Sequence, residues 1–126
     1  MYGFKKETNL NYEKAISHVK TELQKEGFGV LTEIDVKATL KKKLDIDSDK
    51  YIILGACNPE FAYQALQAEA DIGLLLPCNV IVYEKDNKTI ISIIKPSVAM
   101  HMVENEALEK IAGEVEKRLG RVISQC

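Results

Sequence analysis

Two cysteines recur in related settings twenty-one residues apart, in Ala56-Cys57-Asn58-Pro59 and in Pro77-Cys78-Asn79-Val80. Each is followed by asparagine, each segment holds a proline, and both border strongly apolar stretches. A thiol is both a nucleophile and a soft metal ligand, so these segments are the first place to look for chemistry. Cys57 stands just before Asn58-Pro59-Glu60, a cap, proline and acid order that starts helices. The free N–H groups and dipole of such a start favour an anion, which predicts a lowered thiol pKa and a reactive Cys57. The competing reading makes Cys57 a small buried hydrophobe closing a strand, and Glu60 opposes a thiolate there.

Cys78 lies inside an apolar run. If its strand and that of Cys57 are parallel neighbours joined by the intervening helix, the thiols sit at similar height and form one site. Their spacing matches no close-pair zinc pattern. Met100-His101-Met102 adds thioether and imidazole donors that copper(I) accepts beside thiolates. The alternative there is a loop that packs its methionines inward. Whether any metal or other cofactor binds stays open. Glu33 shares a strand face with Leu31, either as a wall of the cysteine site or as an edge carboxylate bonded to a nearby amide. His18 reads as a solvated residue on a helix flank.

Other chemistries lack their signatures. There is no Gly-rich phosphate loop, nucleophile-elbow serine or His-Glu-x-x-His helix, and the seven glycines are scattered. Nineteen acids against seventeen bases give a net charge of -2, and Arg118 and Arg121 are the sole guanidinium groups, so nucleic acid is not an expected partner. The lysines from Lys41 to Lys43 read as a solvated helix face offset by Asp45, Asp47 and Asp49. The longest apolar stretch, Ile72 to Tyr83, falls short of the roughly 20 residues that span a bilayer and is broken by Pro77. Met1 to Leu10 has no apolar signal core, so the expected location is cytoplasmic and no membrane partner is expected. Three cysteines build no disulfide framework, and Cys126 is too close to the end of the chain for a prenylation box.

The elements that must position these residues follow from periodicity. With 126 residues, 46% apolar and 29% charged, residues 1–126 read as a single domain. Tyr2 to Thr8 suits a strand. Tyr12, Ala15, Ile16, Val19 and Leu23 then recur at helical spacing up to Gly27. Phe28, Val30, Thr32 and Ile34 alternate with Gly29, Leu31 and Glu33 as in a strand. Asp35 caps a helix with Val36, Leu40 and Leu44 one turn apart. Tyr51 to Ala56 is an apolar run suited to a strand covered on both faces. A helix follows from about Pro59 to Ala70, with Ala62, Ala65 and Leu66 on one face. Strand character returns from Gly73 to Glu84, where Pro77 implies a bulge or an edge. Asp86-Asn87 makes a hairpin turn into Thr89 to Lys95, which Pro96 ends. From Val103 a long helix carries Leu108, Ile111, Ala112, Val115, Leu119, Val122 and Ile123 as one stripe. The order β-α-β-α-β-α-β-β-α implies an α+β two-layer sandwich with a mixed or antiparallel sheet.

The chain resembles the bacterial and archaeal family known as the domain of unknown function numbered 302. The residues that carry the resemblance are Gly29 to Val36, Ile52 to Pro59 and Gly73 to Glu84, with Pro96 and the last helix. The resemblance implies a small α+β sandwich grouped with TATA-binding-protein-like folds, and a homodimer. It implies no substrate, cofactor or catalytic residue.

Three functions follow as expectations. The first is a non-catalytic binding or interaction protein, acting as a homodimer, with a small-molecule ligand site around Cys57, Asn58, Cys78, Asn79 and Glu33. The second is a thiol redox protein in which Cys57 attacks and Cys78 resolves. The third is a soft-metal carrier, for copper or zinc, that adds Met100 to Met102. For the dimer surface, an apolar edge along Thr89 to Ile94 and one side of the last helix are the expected alternatives.

Overall fold

A computed structural model describes residues 1–126. Five strands form one wholly antiparallel sheet in the order β1-β5-β4-β3-β2: β1 (Gly3–Thr8), β2 (Gly29–Asp35), β3 (Tyr51–Cys57), β4 (Cys78–Lys85) and β5 (Lys88–Ile94). The helices are α1 (Tyr12–Lys25), α2 (Val36–Leu44), α3 (Pro59–Ala68), the single turn α4 (Pro96–Ala99) and α5 (Glu106–Ser124). The α+β sandwich is thus as expected, with no parallel pair in the sheet. No helix is long and apolar enough to cross a membrane.

Helix starts fall where the side-chain oxygens are. Asn11 accepts the Lys14 N–H at 2.8 Å, Asp35 the Ala38 N–H at 2.9 Å and Asn105 the Leu108 N–H at 3.1 Å. Asn105 also donates to the Ala68 carbonyl at 2.8 Å, tying the start of α5 to the end of α3. Asp86 and Asn87 both take positive φ, 53° and 63°, as a tight turn between right-twisted strands requires.

The core lies on one side of the sheet. Leu54, Ala56, Val80, Val82, Ile91 and Ile93 face α1 and α5, which contribute Val19, Leu23, Leu119 and Val122. A second cluster joins Ala65, Ile72, Met100, Leu108 and Ala112 under α3. The opposite face of the sheet carries no helical layer, so β3 is not covered on both sides. Tyr51 and Ile53 are part-buried on the open face, while Ile52 and Leu54 are buried.

Two local features depart from the periodicity. In β2 the register shifts between Val30 and Thr32, with Val30 opposite Ala56 and Thr32 already opposite Gly55. A one-residue bulge sends every later side chain to the other face. Ile34 therefore turns to the open side, paired with Ile53, and Glu33 turns to the helical side. The stretch expected as strand from Gly73 instead forms a 3₁₀ turn over Ala70–Leu75 and a cis Leu76–Pro77 bond, and β4 begins at Cys78. Ile72 is 1% exposed beneath α3, and that burial holds the segment off the sheet. The last helix starts at Glu106, because Val98 to Met102 is taken up by α4 and the turn after it.

Candidate functional site

Cys57 ends β3 and Cys78 opens β4. The strands are antiparallel neighbours, not parallel ones, and it is this antiparallel pairing that brings the end of one beside the start of the next. Ala56 stands opposite Cys78 and Gly55 opposite Asn79. The pleat accordingly puts Cys78 on the helical face with Ala56, and Cys57 one step off it. Cys78 is 9% exposed, and Cys57 is half-buried at the strand end.

Both cysteines border an apolar cavity of about 30 Å³ between the sheet end, α3 and α5. Ala62 and Ala65 of α3 and Ala112 and Val115 of α5 leave this space because their side chains are short for the gap they face. Phe28 and Phe61 close its sides, and Leu76, Pro77, Pro96 and Met100 line the rest. Asn58 also borders it, but its polar atoms are engaged elsewhere. Its oxygen accepts the Phe61 N–H at 3.4 Å, and its amide donates to the Glu26 carbonyl at 3.4 Å. The space is therefore chemically apolar.

A second space, a groove of about 260 Å³, runs alongside. It shares Leu76, Pro77, Cys78, Pro96 and Met100 with the cavity and adds Leu74, Leu75, Ile94, Ala99 and, as its one polar side chain, Asn79. Leu74 is 86% exposed at the rim.

Electrostatics reverse the expectation for Cys57. Burial pushes its thiol above the ordinary range, with nothing opposing. Burial, with the neighbouring Cys57 as a smaller contribution, pushes Cys78 up to about 11. The start of α3 does not produce a thiolate, since the free N–H it offers at Phe61 is taken by Asn58. Both internal thiols are neutral near pH 7.

The other expected residues disperse. Glu33 does not line the cavity; on the far edge strand it accepts from Lys20 Nζ at 2.7 Å. Met100 is buried and lines both spaces, whereas His101 and Met102 are exposed. No three His, Cys, Asp or Glu side chains converge as a metal-binding group. His18 Nε2 meets the Gln125 carbonyl at 2.8 Å, on the surface. The α5 wall and the two phenylalanines were beyond a reading centred on Cys-Asn pairs. The available signal was the run of small residues Ala62, Ala65 and Ala112 facing aromatic neighbours.

The sequence matches the family described as Domain of unknown function DUF302 over residues 4–126. The chain belongs to the DUF302 family. A crystal structure of an uncharacterized conserved DUF302 protein from Bacillus stearothermophilus is similar, with 32% identity, a TM-score of 0.94, and coverage of 100% of this chain and 98% of that one. No curated protein matches the sequence. Membership in DUF302 fits the element order and leaves the chemistry of the cavity to be argued from its own residues.

Proposed function

We propose that the protein is a non-catalytic binding protein that takes a small apolar ligand into the cavity and groove beside Cys78. The observation that carries this reading is the shared wall: Leu76, Pro77, Cys78, Pro96 and Met100 border both spaces. A ligand in the groove thus reaches the cavity by moving side chains rather than backbone. Met100 is suited to that motion, being unbranched, flexible and polarizable. A cavity of about 30 Å³ alone holds little more than water-sized groups. With the groove of about 260 Å³, the space approaches the roughly 300 Å³ at which small-molecule sites begin. The lining selects an uncharged, apolar occupant, with Asn79 at the rim as its one polar guide. A redox role draws no comparable support, since thiol attack runs through the thiolate and burial disfavours it at both cysteines.

The test is native mass spectrometry of protein purified gently from its own cells, paired with fluorescence of the uncharged dye N-phenyl-1-naphthylamine. Wild type is expected to carry a bound apolar mass or to bind the dye one to one. Ala112→Phe, which fills the cavity, should lower that binding at least tenfold while Leu31→Ser, at an exposed residue that borders neither space, keeps it. A wild type that carries no mass and leaves the dye dark, or an Ala112→Phe variant that binds as wild type does, overturns the reading.

A further inference from the structure

On the face of the sheet that carries no helical layer, three of the chain's five tyrosines gather around one hollow. The strand register sets out its walls in two rows. Lys5 of β1 stands opposite Ser92 of β5, which in turn stands opposite Ile81 of β4. In the next row Tyr83 of β4 faces Tyr51 of β3, and their rings stack with centroids 5.3 Å apart. Tyr2, 74% exposed, reaches the same place from just ahead of β1. Tyr2, Lys5, Tyr51, Ile81, Tyr83 and Ser92 thereby border a space of about 340 Å³. It shares no residue with the cavity or the groove beside Cys78. Because β5 lies between β1 and β4, and not at the edge expected of it, the chain exposes a face here rather than a row of unpaired N–H groups.

We propose that this hollow is a second binding site, for a small planar aromatic molecule that carries a carboxylate or an equivalent negative group. Its volume lies within the range, from roughly 300 Å³ upward, in which small-molecule sites fall. The walls favour a flat ring, because tyrosine offers a large rigid face at low entropic cost and stacks on other rings with an offset. Charge favours an anion. Lys5 is the one charged side chain in the wall, and no carboxylate borders the space. The Tyr51 hydroxyl is held above its ordinary range first by burial, then by Tyr83 and Tyr2, while Lys5 pulls it down, as groups meeting at one place do. Elsewhere on the face Glu7 lies 3.6 Å from Lys88, which leaves the exposed Lys5 and Lys85 as unmatched positive charges. In a chain of net charge -2, that is a local excess of the opposite sign.

The span suits one small molecule. Lys5 and Ile81 are two strands apart, about 10 Å across the sheet, and the four-carbon stem of the lysine covers part of that distance. A ring over Ile81 and Tyr83 can thus hold its negative group against the Lys5 ammonium. Other occupants match less of the wall. An uncharged apolar molecule would cover Lys5 without giving it a partner. A second copy of the chain, turned about a two-fold axis, would bring lysines toward lysines. A nucleic-acid strand would find no guanidinium on this face, since Arg118 and Arg121 both belong to α5, on the helical side.

Isothermal titration calorimetry at pH 7.5 with three probes tests the site: 2-naphthoate, its uncharged counterpart 2-naphthamide, and the non-aromatic anion cyclohexanecarboxylate. Wild type is expected to bind 2-naphthoate one to one with a Kd below about 1 mM, and each of the other two at least about threefold more weakly. Lys5→Gln should raise the Kd for 2-naphthoate at least about threefold and leave that for 2-naphthamide unchanged, while Lys5→Arg keeps the preference for the anion. Tyr83→Leu should weaken both aromatic probes at least about threefold. If Tyr83→Leu fails to fold, Lys5→Gln still decides, because that side chain is exposed. Ala112→Phe should leave 2-naphthoate binding intact, which separates this site from the apolar cavity. The proposal is overturned if 2-naphthoate shows no saturable binding up to about 5 mM, if Lys5→Gln binds it as wild type does, or if Ala112→Phe abolishes the binding. A short oligothymidylate that displaces 2-naphthoate at micromolar concentration would mark a nucleic-acid surface and overturn it as well.

Discussion

The Pro77 ring lies against the backbone of Gly55, so close that a β-carbon on residue 55 would stand 2.8 Å from Pro77 Cγ and would run into Thr32 Oγ1. The bare backbone of Gly55 makes room for the chain as it enters β4, and that entry sets Cys78 opposite Ala56 at the cavity wall. Gly55→Ala is expected to destabilise the protein by about 1–3 kcal/mol, as overpacking at rigid neighbours does. Gly29→Ala, with nothing within 4 Å of its β-carbon, should change stability by no more than about 0.5 kcal/mol. Urea unfolding measures both, and equal midpoints for the two variants would sink the argument.

What could be read from residue order was local. Asn58 before Pro59 fixes where α3 begins, and Asp86-Asn87 fixes a tight turn, because each rests on hydrogen bonds or φ values within a few residues. The stripe of α5 was legible for the same reason, since it is spent on one continuous core. The bulge at Leu31 was not, because nothing in an alternating run marks the position where the register slips. Nor was the direction of β4 relative to β3. A helix between two strands suggests a parallel crossover, and only the turn at Ala70–Leu75, anchored by buried Ile72, reverses the chain. The cysteines thus come to one cavity by a route opposite to the expected one. The bulge brought Ile34 to the open face and Glu33 to the helical side, where it stands opposite Leu54 on the edge strand and pairs with Lys20 instead of reaching the cavity.

The buried thiol makes stability depend on pH in a defined direction. Unfolded, a cysteine titrates near 9.0, whereas burial holds folded Cys78 up to about 11. Between those values the unfolded chain releases a proton that the folded chain keeps, so stability falls as pH rises and is constant in this respect below about pH 8. Two units of difference amount to roughly 2–3 kcal/mol by pH 11. Cys126, pushed up to about 11 by burial, adds to the decline, and Tyr12, raised to about 12, contributes only above pH 10. Guanidinium unfolding at pH 8, 9 and 10 should therefore show a shallower decline in Cys78→Ala than in wild type. Parallel curves would contradict the assignment.

Alkylation follows from the same burial. At pH 7.5 iodoacetamide should modify the native thiols in the order Cys57 first and Cys78 last, because Cys57 is half-buried and Cys78 is 9% exposed with the higher proton affinity. For Cys78 a rise of about two units removes about 99% of the thiolate, so its native rate should be at least a hundredfold below that of the unfolded chain. Peptide mapping over time measures the order. A fast Cys57, labelled more quickly than a free thiol, would revive the reactive reading.

Arg118 ties three elements together at one carbonyl. Its Nη1 donates to the Glu26 oxygen at 3.2 Å, beside the Asn58 amide at 3.4 Å, and its guanidinium lies 4.8 Å from the centroid of Phe61, a cavity wall. The carbonyl precedes Gly27, whose φ of +86° turns the chain from α1 toward β2. Arg118→Ala removes a charged hydrogen bond and the cation over the ring, an expected loss of about 1–3 kcal/mol. Arg118→Lys should recover less than half of it, because an ammonium lacks the flat fork that reaches the carbonyl while covering the ring. Arg121, whose two nitrogens meet Glu26 Oε1 at 3.1 and 2.9 Å on the surface, should cost less stability than Arg118 on replacement by alanine, because solvent screens the exposed pair. Thermal melts of the three variants rank them. An Arg121→Ala variant less stable than Arg118→Ala would show that the exposed pair, and not the shared carbonyl, holds the end of α1 against α3 and α5.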